Sequence, residues 1–313
     1  MKGHARTFFT ALHGPSWLIA LVLVSSGCSR AVVRDGAPSW SPDSQRIVFF
    51  RETVGHPADL FVMRADGGDV RPLTKTEKAS EGYPAFSPDG KTIAYESDAV
   101  GGNFDIWVMD ASGFNPRRIT TSPARDVGPS WSPDGRQLAV VLSRDGGSQI
   151  YLVNPDGSNV RRVMTSSAID TEPRYSPDGR WIYFTSDRGG SAQIYRVSVN
   201  GGAPERLTFD GSYNVSPRYA PDGKSFAFIQ RNSGRFNIAL QDFASRQAQL
   251  LTENSMDESP TFAPNGRIIL YATEVRGRGI LAAVSSDGRV RQRFTTEAGD
   301  VREPAWGPNI KGP

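Results

Sequence analysis

The sequence predicts an all-β chain folded as a six-bladed β-propeller of four-stranded antiparallel blades, and three observations carry that expectation. A proline-headed turn recurs at Pro42, Pro88, Pro133, Pro177, Pro221, Pro264 and Pro308, with intervals of 46, 45, 44, 44, 43 and 44 residues. Each interval holds four short extended segments, of which the second and third are rich in β-branched and aromatic residues that suit a pleated, buried surface. Asp-Gly or a close relative follows most of these prolines, supplying the positive-φ position of a tight hairpin. A period of this length with four strands per unit describes propeller blades, because one such sheet cannot bury both faces and needs neighbours like itself.

The unit from Thr171 to Thr208 is the cleanest copy. Its segments lie at 173–176, 180–186, 193–199 and 204–208, joined by Pro177-Asp178-Gly179 and Asn200-Gly201 turns. The second strands read as dense apolar runs, such as Ile47-Val-Phe-Phe50 and Leu138-Ala-Val-Val141, which is the pattern of strands covered on both faces. The first strands carry one aromatic each, at Trp40, Phe86, Trp131, Tyr175, Tyr219, Phe262 and Trp306. A residue repeated at one register in every unit fills the wedge between neighbouring sheets. Some turns are imperfect: Ser44 stands where glycine is usual, Asn265-Gly266 replaces Asp-Gly, and the third turn of the fifth unit (243–246) has no glycine.

Seven first strands accompany six sets of the other three, so one is surplus. A ring must close, since an open sheet edge invites aggregation. The carboxy-terminal copy at 304–307, in preference to 38–41, is expected to pair with the blade beginning at Arg46 and so tie the end of the chain to its start.

The beginning of the chain has another character. Lys2 and Arg6 precede the apolar run Trp17-Leu-Ile-Ala-Leu-Val-Leu-Val24 and the small residues Ser25-Ser26-Gly27, the layout of a secretory signal over 1–27. Cys28 is the single cysteine and stands directly after the small residues. The order Gly27-Cys28 resembles a bacterial lipoprotein cleavage site. That resemblance implies lipidation of Cys28, a short tether over 28–36 ahead of the propeller that the repeat places at 37–308 and, with Ser29 next to the cysteine, sorting to the outer membrane from the periplasmic side. About a dozen residues separate Cys28 from Trp40, a reach of about 40 Å at most.

Charge excludes little but argues against nucleic acid. The 36 basic and 33 acidic residues give +3, and removing Lys2 and Arg6 leaves 34 − 33 = +1. A nucleic-acid reader would show a clustered basic footprint. An enzyme reading is weak as well. His56 is the only histidine beyond position 28, so neither a histidine metal site nor a Ser-His-Asp triad can be assembled.

In an antiparallel meander the connections before the first strand and between the second and third lie on one face, and the Asp-Gly turns on the other. The first face holds the residues that do not repeat, and a partner is expected there, around the channel mouth. The candidates are Glu81, Tyr83, Asp126, Asp170, Thr171, Glu172, Tyr213, Asn214, Asp257, Glu258, Arg302 and Glu303. Converging loops are expected to gather their carboxylates into a negative ring. No cofactor is expected, with Ca²⁺ held by several mouth carboxylates as the one alternative.

Five stretches carry a family resemblance: Phe184-Thr-Ser-Asp-Arg-Gly-Gly190, Val199-Asn-Gly-Gly-Ala-Pro204, Asp257-Glu258, Ala263-Pro-Asn-Gly266 and Pro304-Ala-Trp-Gly-Pro308. In order and spacing they resemble the propeller of the TolB family of the Tol-Pal envelope system, over Gln45 to Pro308. Two departures accompany the match. The α/β domain that precedes the family's propeller is not represented, so a TolA-type contact does not carry over. At the mouth, Thr171-Glu172-Pro173 and Asp257-Glu258 match, whereas Arg125-Asp126-Val127-Gly128 does not. The resemblance implies a non-catalytic periplasmic propeller that binds an envelope protein, Pal-like or otherwise peptidoglycan-associated, through its mouth. The alternative is an envelope sensor, or a propeller that processes a sugar or small ligand at a carboxylate-lined site.

Overall fold

The computed structural model describes residues 9–13, 19–25, 33–144, 146–254, 256–294 and 300–307, with backbone alone at 9–13, 19–25, 300 and 301. Six four-stranded antiparallel sheets follow one another along the chain, each with its strands in sequence order. Their inner strands are Val33–Trp40, Glu81–Phe86, Asp126–Trp131, Asp170–Tyr175, Tyr213–Tyr219 and Asp257–Phe262. The second strands are the most deeply buried elements: Leu138–Leu142 is covered along its whole length, and Trp181–Ser186 at all but its first residue. Outer strands are short, only two residues long at Arg71–Pro72, Arg117–Arg118, Arg161–Arg162 and Glu205–Arg206.

The core lies between blades. One cluster joins Ala94, Ile106 and Val108 of the second blade to Leu138, Val140 and Tyr151 of the third. Others join the third blade to the fourth and the fourth to the fifth. The repeated aromatic is the wedge in each. Trp131 packs against the cluster it shares with the second blade and donates from Nε1 to the Ala85 carbonyl at 3.0 Å. Tyr219 meets Tyr183 edge to face at 4.2 Å between ring centres. Such contacts add about 1 kcal/mol beyond area burial.

The turn face repeats one device. In the fourth blade Ser176 Oγ donates to Asp178 Oδ1 at 2.5 Å, and Asp178 accepts the Arg180 amide at 3.1 Å. The Ser176 bond, then the amide, hold the Asp178 carboxyl below its usual range. Gly179 closes the turn at φ 71°; Ser44 takes the same conformation at φ 57° without glycine's freedom. In the fifth blade's third turn Arg246 assumes the positive φ, at 58°.

Closure differs from the expectation. The strand paired with Arg46–Thr53 is Val33–Trp40, not the carboxy-terminal copy. Asp300–Trp306 instead stands as a seventh inner strand between the sixth blade and the first. Trp306 packs on Leu270 and Leu281, and the Ala305 carbonyl accepts from Trp40 Nε1 at 3.4 Å. A Cβ on Gly307 would lie 3.1 Å from the Trp40 ring, so glycine fits where the two ends meet. The ring therefore closes by packing rather than by a shared sheet. The seventh strand pairs on one edge with Ile19–Ser25, which pairs in turn with Phe9–His13. The sequence reading set this segment outside the fold; an open edge beside a β-branched run accounts for the pairing. Cys28 and the tether over 28–32 lie outside the described residues.

Candidate functional site

A single cavity of about 400 Å³ is lined by residues from all seven inner strands, which makes it the central channel. Its geometry follows from one proline per strand: Pro38, Pro84, Pro129, Pro173, Pro217, Pro260 and Pro304. In each of the six complete blades the register between first and second strands slips at this proline, as between Thr171 and Arg174. The residue just before it has positive φ in every strand: Ala37, Tyr83, Gly128, Glu172, Ser216, Ser259 and Glu303. A bulge of this kind re-aims side chains and leaves a backbone amide without its ladder partner.

Glutamates on neighbouring strands satisfy three of those amides. Glu172 accepts from the Ser216 amide at 2.9 Å and from Ser216 Oγ at 2.7 Å. Glu303 accepts from the Ala37 amide at 2.5 Å, linking the last inner strand to the first. Glu96 accepts from the Gly128 amide at 2.7 Å. Burial pushes the Glu172 carboxyl upward, but the Ser216 and Thr185 bonds and the Arg218 charge together outweigh it and hold it below its usual range. These acids are blade-to-blade fasteners at the mouth.

Three positions before the proline in the second to sixth blades stands another repeated polar residue, and the structure turns it inward. Glu81 is 2% exposed, and Asp126, Asp170, Asn214 and Asp257 are 0% exposed. Glu81 accepts from Thr74 Oγ1 at 3.0 Å on the strand end of the preceding blade. Asp170 pairs with Arg188 at 2.7 Å. Asn214 donates to Gln193 Oε1 at 2.7 Å, and Asp257 accepts from Asn254 at 3.2 Å. The expected ring of solvent-facing carboxylates is thus corrected at these four acidic positions, and Asn214 is enclosed with them. Glu81, Asp170, Asn214 and Asp257 each tie an inner strand to a neighbouring loop or strand, the usual fate of a residue repeated at one register. Among the described residues no group of three His, Cys, Asp or Glu side chains converges.

The remaining candidates stay at the surface of the mouth. Tyr83 is 50% exposed and Tyr213 37% exposed. Thr171 and Glu172 are half-buried, and Glu258 accepts from Arg302 at 2.9 Å at the rim. Burial, then the Glu303 and Glu96 charges, push the Tyr83 hydroxyl up. Thr171, Glu172 and Tyr213 line one groove of about 360 Å³ between the fourth and fifth blades, together with Ile169 and Val215. Ile169 (56% exposed), Phe209 (65%) and Met256 (40%) add apolar surface on the same face. Sequence reasoning missed these three; their signal was a large apolar residue in a loop that enters an inner strand. His56 is exposed at the start of the strand His56–Arg64, where it pairs with Thr53 across the turn.

Comparison with known proteins agrees with this architecture. The family described as the TolB beta propeller domain matches residues 24–128 and 122–310. The Tol-Pal system protein TolB of Nitrosospira multiformis is 60% identical over 83 residues, which is 26% of this chain and 19% of that protein. The matched stretch thus spans about a fifth of that curated relative's length. The crystal structure of TolB from Acinetobacter baumannii superposes with a TM-score of 0.70 at 38% identity, covering 85% of this chain and 67% of that one. An oligogalacturonate lyase in complex with manganese shares the fold alone, with a TM-score of 0.68 at 14% identity over 92% of this chain and 84% of the lyase. The family match over almost the whole propeller, joined to the repeated bulge and turn geometry, shows that the chain belongs to the TolB β-propeller family.

Proposed function

We propose that this chain is an exported, non-catalytic propeller whose mouth face docks an envelope protein, a Pal-like or other peptidoglycan-associated partner. The observation that carries the reading is the distribution of exposed apolar side chains. Ile169 and Tyr213 line a groove between the fourth and fifth blades, and Phe209 and Met256, in loops that enter inner strands, and Tyr83, on the second blade's inner strand, are exposed on the same face. A contiguous apolar patch rimmed by polar residues marks an interaction surface, and exposed tyrosines are favoured anchors. The relatives' name, Tol-Pal system protein TolB, supports the envelope setting.

Residues 1–27 act as the export signal in this reading, and Cys28 as the lipid anchor that keeps the propeller beside the periplasmic face of the outer membrane. The buried carboxylates of Glu81, Asp126, Asp170 and Asp257 serve the fold in this reading rather than acid–base chemistry at the mouth.

The test is site-specific photo-cross-linking in intact cells from position 213 on the mouth and position 114 on the turn face. The expected product is a peptidoglycan-associated lipoprotein captured from 213 and absent from 114. Capture from 114 alone, or no such lipoprotein from either, rejects the reading. Fractionation of Cys28→Ala should move the protein into the soluble periplasm; a wild type already soluble there removes the anchor.

A further inference from the structure

One channel position departs from the sevenfold pattern. The residue after the inner-strand proline is small in five strands, as Ser39, Ala85, Ser130, Thr261 and Ala305, and is arginine in two neighbours, Arg174 and Arg218. All seven line the same cavity of about 400 Å³. Two long cationic side chains therefore extend from adjacent blades into space that the small residues leave free.

Their hydrogen bonding is unsaturated within the chain. Arg174 donates to the Pro173 carbonyl at 3.2 Å and Arg218 to the Pro217 carbonyl at 3.0 Å, the carbonyl of the preceding residue in each case. Among the described residues neither guanidinium is within ion-pair distance of a carboxylate. The nearest charges, Glu172 and Glu303, accept hydrogen bonds from the strand beyond them. A guanidinium has five N–H donors in a planar fork, so most remain available to the channel. Burial, then the Arg218 charge, push Arg174 down to about 9 against the pull of Glu172, and burial lowers Arg218 against the pull of Glu172 and Glu303. Such a pair suits a planar carboxylate, which accepts bidentate bonds from guanidinium.

We propose that Arg174 and Arg218 form a carboxylate-binding site inside the propeller channel. The site is separate from the apolar groove of the mouth, so its failure leaves the docking reading intact. The carboxylate arrives either as a small free acid or as an acidic side chain reaching down from a docked protein, and the test separates these sources.

Isothermal titration of the purified full chain with citrate, and in parallel with tetraglutamate against a tetraglutamine control, reads the site directly. Saturable binding at one site per chain is expected, weakened at least about tenfold in Arg174→Ala or Arg218→Ala, since each removes charged hydrogen bonds. Alanine already occupies this position in Ala85 and Ala305, so the variants keep the fold, and a melting curve checks that they do. Arg180→Ala, on the turn face, should leave binding unchanged. Citrate binding alone identifies a small acid, and tetraglutamate binding identifies a protein-borne side chain. No saturable binding of either, or binding undiminished in the double Arg174→Ala/Arg218→Ala variant, overturns the proposal.

Discussion

The two faces of the propeller are made of the same strands yet obey different rules. On the turn face, Ser41, Ser87, Ser132 and Ser176 bond Asp43, Asp89, Asp134 and Asp178 in one repeated geometry. On the mouth face the backbone bulge repeats, but the side chain before each proline changes from Ala37 to Tyr83 to Glu172 to Ser216. Repetition therefore marks what the fold requires. Variation upon a repeated backbone marks where a partner can be read, since function concentrates in loops held by a rigid scaffold.

The comparison breaks most sharply at a buried latch. Asp170→Ala leaves Arg188 without its partner and should destabilise by about 3–5 kcal/mol in urea denaturation. Asp178→Ala, at an exposed turn, should lose about 1 kcal/mol. Equal losses would erase the distinction between latch and turn.

A second contrast is in pH. Burial, only partly offset by its Thr74, Thr76 and Ser97 bonds, pushes the Glu81 carboxyl up to about 7 from 4.5. The folded state then binds the proton more tightly than the unfolded chain, so this group's contribution is full below pH 4.5 and falls as pH rises through 7. The fall should reach about 3 kcal/mol at most. Glu81→Gln should flatten the stability profile between those pH values; an unchanged slope assigns it to another group.

The smallest effect is on the turn face. Ser44 holds φ 57° where other blades use glycine, so Ser44→Gly should stabilise by about 0.5–1 kcal/mol, read as a raised melting temperature. A loss would mean that Ser44 supports the turn beyond its backbone.

The blades were legible in the sequence because their signals are local. The Pro-Asp-Gly turns, the second-strand runs and the wedge aromatics each report a short-range or periodic requirement. The mouth was half legible. Tyr83, Thr171, Glu172 and Tyr213 do face it, whereas Glu81, Asp126, Asp170 and Asp257 are buried. The bulge explains the difference, since a register slip between positions such as Thr171 and Arg174 breaks the simple alternation of faces. By the argument that assigned Tyr175 to packing, the repeated acid should have been assigned there too. Arg174 and Arg218 were visible as the two long residues in an otherwise small column, but the column gains meaning only once the channel is known. Closure was least legible, because 38–41 and 304–307 carry equivalent patterns and packing alone chooses between them.

Affinity of a purified peptidoglycan-associated lipoprotein for the full chain tests the docking face most directly. Ile169→Glu and Tyr213→Ser should each weaken binding at least about tenfold, as loss of an anchor at a desolvated centre does. Phe114→Ser, which alters a side chain 71% exposed on the turn face, should leave it unchanged. Binding lost with Phe114→Ser and retained in both mouth variants would place the partner on the wrong face and contradict the account.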